Sequence, residues 1–120
     1  MSKILIVEDN EMNMRLFSDL LKAKGYDVIQ CLDGRQALDI AKQEKPDLIL
    51  MDIQMPEISG LEVTSLIRRD PEIKDTKIVA VTAFAMKGDE QKIIDGGCNG
   101  YIAKPIAVAD FLNTVAGFLS

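Results

Sequence analysis

The sequence predicts an α/β fold in which a parallel sheet carries helices on both faces. Strand-sized apolar runs alternate five times with amphipathic stretches of helical period. The runs are continuous rather than alternating with polar residues, as is typical of strands that are covered on both sides. Each connection is long enough for a helix, and strand–helix–strand units of this kind cross over with a right hand.

The first half of the chain supplies three strands and two helices. Gly25 and Pro46 are stop signals that follow the two helical stretches. In chain order, the predicted elements are a strand at Ile4–Val7, a helix near 11–24, a weaker strand at Val28–Ile29, a short helix around Ala37–Ala41 and a strand at Leu48–Met51.

The second half supplies two strands and three helices. Ser59 suits the N-cap of the first helix and Pro71 lies beyond its end, while Gly96 and Gly97 end the next helix. The predicted elements are a helix around Leu61–Ile67, a strand at Ile78–Val81, a helix near 86–95, a short strand at Tyr101–Ala103 and an amphipathic last helix from Val108 to Leu119.

Composition excludes several classes of function. The 120 residues suffice for about one domain, and the net charge of −5 with no basic run disfavours nucleic-acid binding. No apolar run is long enough to insert into a membrane, and the N-terminus does not resemble a signal peptide. The absence of histidine removes serine–histidine catalysis and histidine metal sites. Cys31 and Cys98 are far apart in sequence, so we expect two buried thiols in a cytoplasmic protein.

Polar side chains follow four of the predicted strands. Glu8 and Asp9 come after the first strand, Asp52 after the third, Thr82 after the fourth and Lys104 after the fifth. Ligands of parallel sheets bind beyond the carboxyl ends of the strands. Three carboxylates at close range repel one another unless a cation is present, and Mg²⁺ prefers oxygen ligands of this kind. We therefore expect a magnesium site at this edge of the sheet.

The same groups suit phosphoryl transfer. An aspartate at a rigid strand end, here Asp52, can act as a nucleophile toward phosphorus. The metal, the Lys104 ammonium and the Thr82 hydroxyl would then neutralise the equatorial oxygens. Each group alone has an ordinary explanation, namely a polar loop, a helix cap or a surface turn, and it is their joint placement that favours a site.

Four motifs resemble the receiver domain of two-component response regulators, and the resemblance covers essentially the whole chain. It implies a flavodoxin-like (βα)5 fold with a five-stranded sheet of order 2-1-3-4-5, and one receiver domain over residues 1–120 with no output domain. The motifs are Ile4–Asn10, Leu48–Pro56 with Gly60, Val81-Thr82-Ala83, and Lys104-Pro105.

The resemblance also assigns the metal and acceptor residues. Asp52 is the expected phosphoacceptor. Asp9, Asp52 and the backbone carbonyl of Gln54 are the expected Mg²⁺ ligands, and Glu8 acts through the waters of the metal, with Mn²⁺ or Ca²⁺ as substitutes. Many family members have aspartate where this chain has Glu8. Gln54 and Phe84 lie where side chains could shield the acyl phosphate from water or admit water to it.

A switch and a partner surface are implied as well. Thr82 and Lys104 are the expected phosphate sensors, the Lys104-Pro105 peptide is expected to be cis, and Tyr101 is the expected switch aromatic. Phosphorylation would draw Thr82 toward the phosphoryl group and let Tyr101 rotate inward. The expected apolar docking patch consists of Phe84, Met86, Tyr101 and Ile106.

The family implies a phosphoacceptor signalling protein rather than an enzyme. Its expected partners are sensor histidine kinases acting as kinase or phosphatase, and a downstream phosphotransfer or effector protein. Three stretches, Val7–Glu11, Ser59–Thr64 and Ala80–Glu90, resemble single-domain members that act in cell-division control.

Two alternatives share the fold or the nucleophile. A small aspartate-nucleophile phosphohydrolase needs a second aspartate two residues after the nucleophile, where this chain has Gln54, and there is no room for a cap domain. A flavin carrier would want a phosphate-cradling loop and stacking aromatics. The loop after the first strand is acidic instead, and the chain has no tryptophan.

Overall fold

The computed structural model describes residues 2–83 and 89–119. These residues form a five-stranded parallel sheet of order β2-β1-β3-β4-β5, which confirms the predicted fold class and strand order. Five α-helices connect or follow the strands in this part of the chain. In chain order the elements are β1 (Lys3–Val7), α1 (Glu11–Ala23), β2 (Asp27–Cys31), α2 (Ala37–Glu44), β3 (Leu48–Asp52), α3 (Gly60–Arg69), β4 (Lys77–Thr82), α4 (Asp89–Asp95), β5 (Gly100–Ala103) and α5 (Val108–Leu119).

Strand pairing extends β2 beyond its apolar residues. The sequence predicted this strand at Val28–Ile29, but backbone pairing with β1 runs from Asp27 opposite Lys3 to Cys31 opposite Val7. Edge strands need few apolar side chains because one side of their backbone is unpaired and partly wet. Hydrogen bonding to the neighbouring strand therefore sets the bounds of β2.

Alternate residues of the central strands face two separate cores. Ile4 and Ile6 of β1 belong to the core under α1 and α5, whereas Leu5 and Val7 belong to the core under α2, α3 and α4. All four side chains are at most 1% exposed. This double coverage explains why the central strands of the sequence are continuous apolar runs.

The helices begin and end at residues with identifiable local roles. Asn10 caps α1, because its side chain accepts a hydrogen bond from the Asn13 N–H at 2.9 Å. Ser59 caps α3 as predicted and accepts from the Leu61 N–H at 3.1 Å. Gly25, predicted to stop the first helix, has a φ of +88° and follows α1 by two residues. The two caps fix how the chain leaves β1 and the loop after β3.

Two smaller expectations, a cis peptide bond and two buried thiols, are confirmed by the coordinates. The peptide bond between Lys104 and Pro105 is cis. Cys31 and Cys98 are both buried and not in a disulfide. Within residues 2–83 and 89–119, no helix has the length and apolar character needed to cross a membrane.

Candidate functional site

The register of the sheet brings the predicted site residues to one edge. Asp52 at the end of β3 is opposite Val81, and Thr82 at the end of β4 is opposite Ala103. Val7 is opposite Met51, so the residue that follows each of these lies at the same level. The carboxyl ends of β1, β3, β4 and β5 are therefore nearly flush.

Three carboxyl groups meet at this edge. Oxygen atoms of Glu8, Asp9 and Asp52 all lie within 4.8 Å of one another. Glu8 is 1% exposed and Asp52 is 2% exposed, whereas Asp9 is exposed to solvent. The cluster thus has a buried floor and an open side through which an ion can enter.

One ammonium group lies against the two buried carboxylates. Lys104 Nζ is 2.8 Å from Glu8 Oε1 and 3.3 Å from Asp52 Oδ1, and the lysine side chain is 18% exposed. Burial disfavours the charged ammonium, but the hydrogen bond that Lys104 donates to Glu8 and the negative charges of Asp52 and Glu8 outweigh it and raise the pKa of Lys104. Lys104 is therefore a firmly held cation within the cluster.

Lys104 does not fully compensate the negative charge of the cluster, and the pKa of Asp52 is raised as a result. Burial, together with hydrogen bonding to Glu8 and its negative charge, raises the pKa of Asp52 from 3.8 to about 7, and the Lys104 charge offsets only part of this rise. With such a pKa, ionising Asp52 at neutral pH costs free energy in the folded protein. A hard divalent cation lowers this electrostatic cost, and an all-oxygen donor set fits Mg²⁺.

Both oxygens of Glu8 have partners in this state. Oε1 accepts from Lys104, and Oε2 accepts from the backbone N–H of Asn10 at 3.1 Å. The Glu8 N–H in turn donates to Cys31 O of β2 at 3.0 Å. Asn10, predicted only as part of a family motif, thus has two roles: its backbone orients Glu8 and its side chain caps α1.

Gln54 contacts the acceptor and the end of β4 at the same time. Its backbone N–H donates to Asp52 Oδ1 at 3.1 Å. Its side-chain Nε2 is 3.4 Å from Thr82 Oγ1, and its Oε1 is 3.4 Å from the Ala83 N–H nitrogen. The position of this side chain was left open by the sequence.

The proposed switch residues lie on the same face of the sheet. Thr82 is buried and Tyr101 is half-buried, and Tyr101 is paired with Ala80, two residues before Thr82 on β4. Hydrogen bonding to Glu90 of α4, burial and the Glu90 charge raise the pKa of Tyr101. Tyr101 is thus tied to α4.

The expected docking patch is only partly described. Phe84 and Met86 lie outside the described residues. Tyr101 packs against the core under α2, α3 and α4, whereas Ile106 packs against the core under α1 and α5. A surface shared by Tyr101 and Ile106 would have to run around the edge strand β5.

Gly60 packs closely against the backbone at the end of β3, the strand that ends in Asp52. A Cβ at this position would come into severe contact with the Asp52 carbonyl oxygen and lie 2.9 Å from the carbonyl carbon of Asp52 and from Ile53 Cα. The Gly60 N–H donates to Ile53 O at 3.0 Å. The first residue of α3 can therefore approach the end of β3 only if it has no side chain.

We expect Gly60→Ala to destabilise the protein by about 1 to 3 kcal/mol, because backbone atoms of Asp52 and Ile53 must shift. Urea unfolding followed by far-ultraviolet circular dichroism measures the change. Gly117→Ala in α5 is the matched control, since its Cβ would meet nothing within 4 Å, and we expect it to gain roughly 0.5 to 1 kcal/mol. Equal stability of the two variants would contradict this role of Gly60.

Comparison with known proteins places this arrangement among signalling domains. The response regulator receiver domain matches residues 4–116. The "Polar-differentiation response regulator DivK" proteins of Brucella anthropi and Brucella ovis are each 55% identical to the chain over 116 residues, which cover 97% of this chain and 94% of theirs.

Solved structures agree with the sequence matches. The Vibrio cholerae chemotaxis protein CheY4 superposes with a TM-score of 0.92 at 30% identity, covering 98% of each chain. A sensor histidine kinase receiver domain from Pseudomonas aeruginosa superposes with a TM-score of 0.90 at 34% identity, covering 98% of this chain and 97% of its own. It is described with a magnesium ion coordinated in the active site cleft.

These matches span nearly the whole chain and agree with the strand order and the acidic cluster. They give no support to a phosphohydrolase. The chain belongs to the response regulator receiver domain family, a family of signalling proteins.

Proposed function

We propose that Asp52 accepts a phosphoryl group from the phosphohistidine of a sensor histidine kinase. The observation that carries this proposal is the buried Asp52 carboxylate, which lies within 4.8 Å of two more carboxyl groups and 3.3 Å from an ammonium group. An Asp52 oxygen attacks phosphorus, a P–O bond forms and the P–N bond to the donor imidazole breaks. The imidazole leaves with the electron pair of that bond and takes up a proton.

The residues around Asp52 would bind the metal ion and neutralise the charge of the phosphoryl group. Asp9, Asp52 and the carbonyl of Gln54 would hold Mg²⁺, with Glu8 contributing through water and with Mn²⁺ or Ca²⁺ as substitutes. The metal supplies positive charge that favours ionised Asp52 and neutralises phosphoryl oxygens. Lys104 supplies a second positive charge, because its ammonium already lies beside the acceptor oxygen.

The phosphoryl group then acts as a signal. It replaces one carboxylate charge with a group of about −1.5 to −2 charges that has three acceptor oxygens. Thr82 moves toward this group, and Tyr101 rotates inward from its half-buried position. The surface formed by α4, β5 and α5 changes shape, and partners distinguish the two states.

Protein partners follow from this switch. Sensor histidine kinases act on the chain as kinase or phosphatase, and a downstream phosphotransfer or effector protein receives the signal. Hydrolysis of the acyl phosphate within the domain itself is slow. The likeness to the Brucella polar-differentiation regulators supports a role in cell division or polarity.

Intact mass spectrometry tests the proposal. After incubation with acetyl phosphate and Mg²⁺, we expect the mass of one added phosphoryl group, which hydroxylamine removes and which peptide mapping assigns to Asp52. Excess chelator is the control and should prevent the reaction. A phosphoryl group that resists hydroxylamine, or that maps to another residue, would contradict the proposal.

A further inference from the structure

The side-chain amide of Gln54 contacts two groups near the proposed phosphorylation site, the Thr82 hydroxyl and the Ala83 N–H. Its Nε2 is 3.4 Å from Thr82 Oγ1 and its Oε1 is 3.4 Å from the backbone nitrogen of Ala83. A backbone N–H can only donate, so the amide oxygen must face Ala83 and the amide NH2 must face Thr82. At that contact Thr82 Oγ1 is therefore an acceptor.

The oxygens of a phosphoryl group on Asp52 carry charge and accept hydrogen bonds, so protein groups must donate to them. The Thr82 hydroxyl can accept from Gln54 and still donate its own proton, so its contact with Gln54 does not by itself compete. The Ala83 N–H, beside Thr82 at the end of β4, has a single hydrogen, which Gln54 Oε1 accepts while Asp52 is unmodified. This N–H must leave Gln54 before it can bind a phosphoryl oxygen.

From this conflict we propose that the Gln54 side chain is an internal competitor of the phosphoryl group. It contacts the Thr82 hydroxyl and occupies the Ala83 N–H in the unmodified state, so that capture of the Ala83 N–H by a phosphoryl oxygen requires its displacement. Gln54 is thus a positioning residue that holds the switch in its resting form. The inference rests on the function proposed above, since it assumes a phosphoryl group on Asp52.

The surroundings of Gln54 allow such a displacement. A groove of about 300 Å³ between the loop after β3 and α4 is lined by Gln54 and Thr82 together with Ser59, Leu61 and Lys92. The displaced amide can swing into this groove without moving the backbone. The Gln54 N–H can therefore keep its 3.1 Å contact with Asp52 Oδ1 while the side chain moves.

Gln54→Met tests the inference, because methionine keeps the length of the side chain and both backbone groups but cannot hold Thr82 or Ala83. The probe is beryllium trifluoride, a tetrahedral phosphoryl analogue, titrated in the presence of saturating Mg²⁺ and followed by NMR of Ala83 and Thr82. The hydrogen bond from the Ala83 N–H, which competes with the analogue, is lost from the resting state, so we expect half-saturation at about threefold to tenfold lower analogue concentration than in the wild type. Gln43→Met, an exposed position on α2, is the matched control and should titrate like the wild type.

A second measurement separates competition from a general loosening of the site. Without metal or analogue, the Ala83 amide of Gln54→Met should exchange faster with solvent, while the Glu8 amide, which donates to Cys31 O at the same edge of the sheet, exchanges as in the wild type. If the wild type does not bind the analogue at all, the proposed function fails. If wild type and Gln54→Met titrate alike, or if Gln54→Met binds the analogue more weakly, the inference about Gln54 is overturned while the proposed function stands.

Discussion

Asp52→Asn is expected to stabilise the metal-free protein at pH 8 by about 2 to 4 kcal/mol, because each displaced pKa unit corresponds to roughly 1.4 kcal/mol. Burial and the neighbouring Glu8 raise the pKa of Asp52 from 3.8 to about 7, so the folded state holds the proton more tightly than the unfolded state. Above pH 7 the ionised Asp52 therefore costs stability. This cost is lost as the pH falls from 7 toward 4, and asparagine removes it at every pH.

Urea unfolding in chelator at several pH values measures this effect. The advantage of Asp52→Asn should be largest at pH 8 and nearly vanish at pH 4. Mg²⁺ should stabilise the wild type more than the variant, which can no longer be phosphorylated in the mass assay. Asp19→Asn, an exposed carboxylate on α1, is the control and should change stability by less than about 1 kcal/mol. If Asp52→Asn were no more stable than the wild type at pH 8, ionising Asp52 would not cost free energy as described.

The edge of the sheet at which the site lies was predictable because parallel strands end together. Glu8, Asp52, Thr82 and Lys104 each follow an apolar run, and a parallel sheet has no other way to arrange those ends than side by side. The position in sequence was therefore enough to predict their proximity. The family motifs added the expected role of each residue.

The pairing of side chains within the site was not predictable from spacing. Lys104 lies closer to Glu8 than to Asp52, and the backbone N–H of Asn10 takes the other Glu8 oxygen. This choice depends on burial and on rotamers, which the residue types alone do not determine. The amide of Gln54 is a similar case, since the loop after β3 has no periodicity from which the direction of a side chain can be read.

For the expected docking patch, the sequence indicates the face that Tyr101 contacts but not the face that Ile106 contacts. Tyr101 lies within a strand, where alternation determines the face of the sheet that it contacts. Ile106 lies in the short connection between β5 and α5, and it packs against the opposite core. A patch that contains both residues must therefore span the edge of β5, and it stays a prediction.

Lys104→Met is expected to have the opposite effect on the charge balance and to destabilise the metal-free protein at pH 8 by about 3 to 5 kcal/mol, the usual cost of leaving a buried charge unpaired. Lys104 is the ammonium group found within 4 Å of both Glu8 and Asp52 in the described residues, and both carboxyl groups are almost fully buried. Methionine fills the same space without the charge. Asp9 on the solvent side adds a further negative charge.

A double-mutant cycle with Asp52→Asn checks this explanation. Because the loss in Lys104→Met comes from uncompensated negative charge, Asp52→Asn should restore part of it, and the two changes should be non-additive by more than about 0.5 kcal/mol. Lys104→Met should also bind Mg²⁺ more tightly by isothermal titration calorimetry, since a competing cation has been removed. The exposed Lys24→Met should alter neither stability nor Mg²⁺ affinity. Additive changes together with weaker Mg²⁺ binding would show that Lys104 stabilises the site by packing rather than by charge.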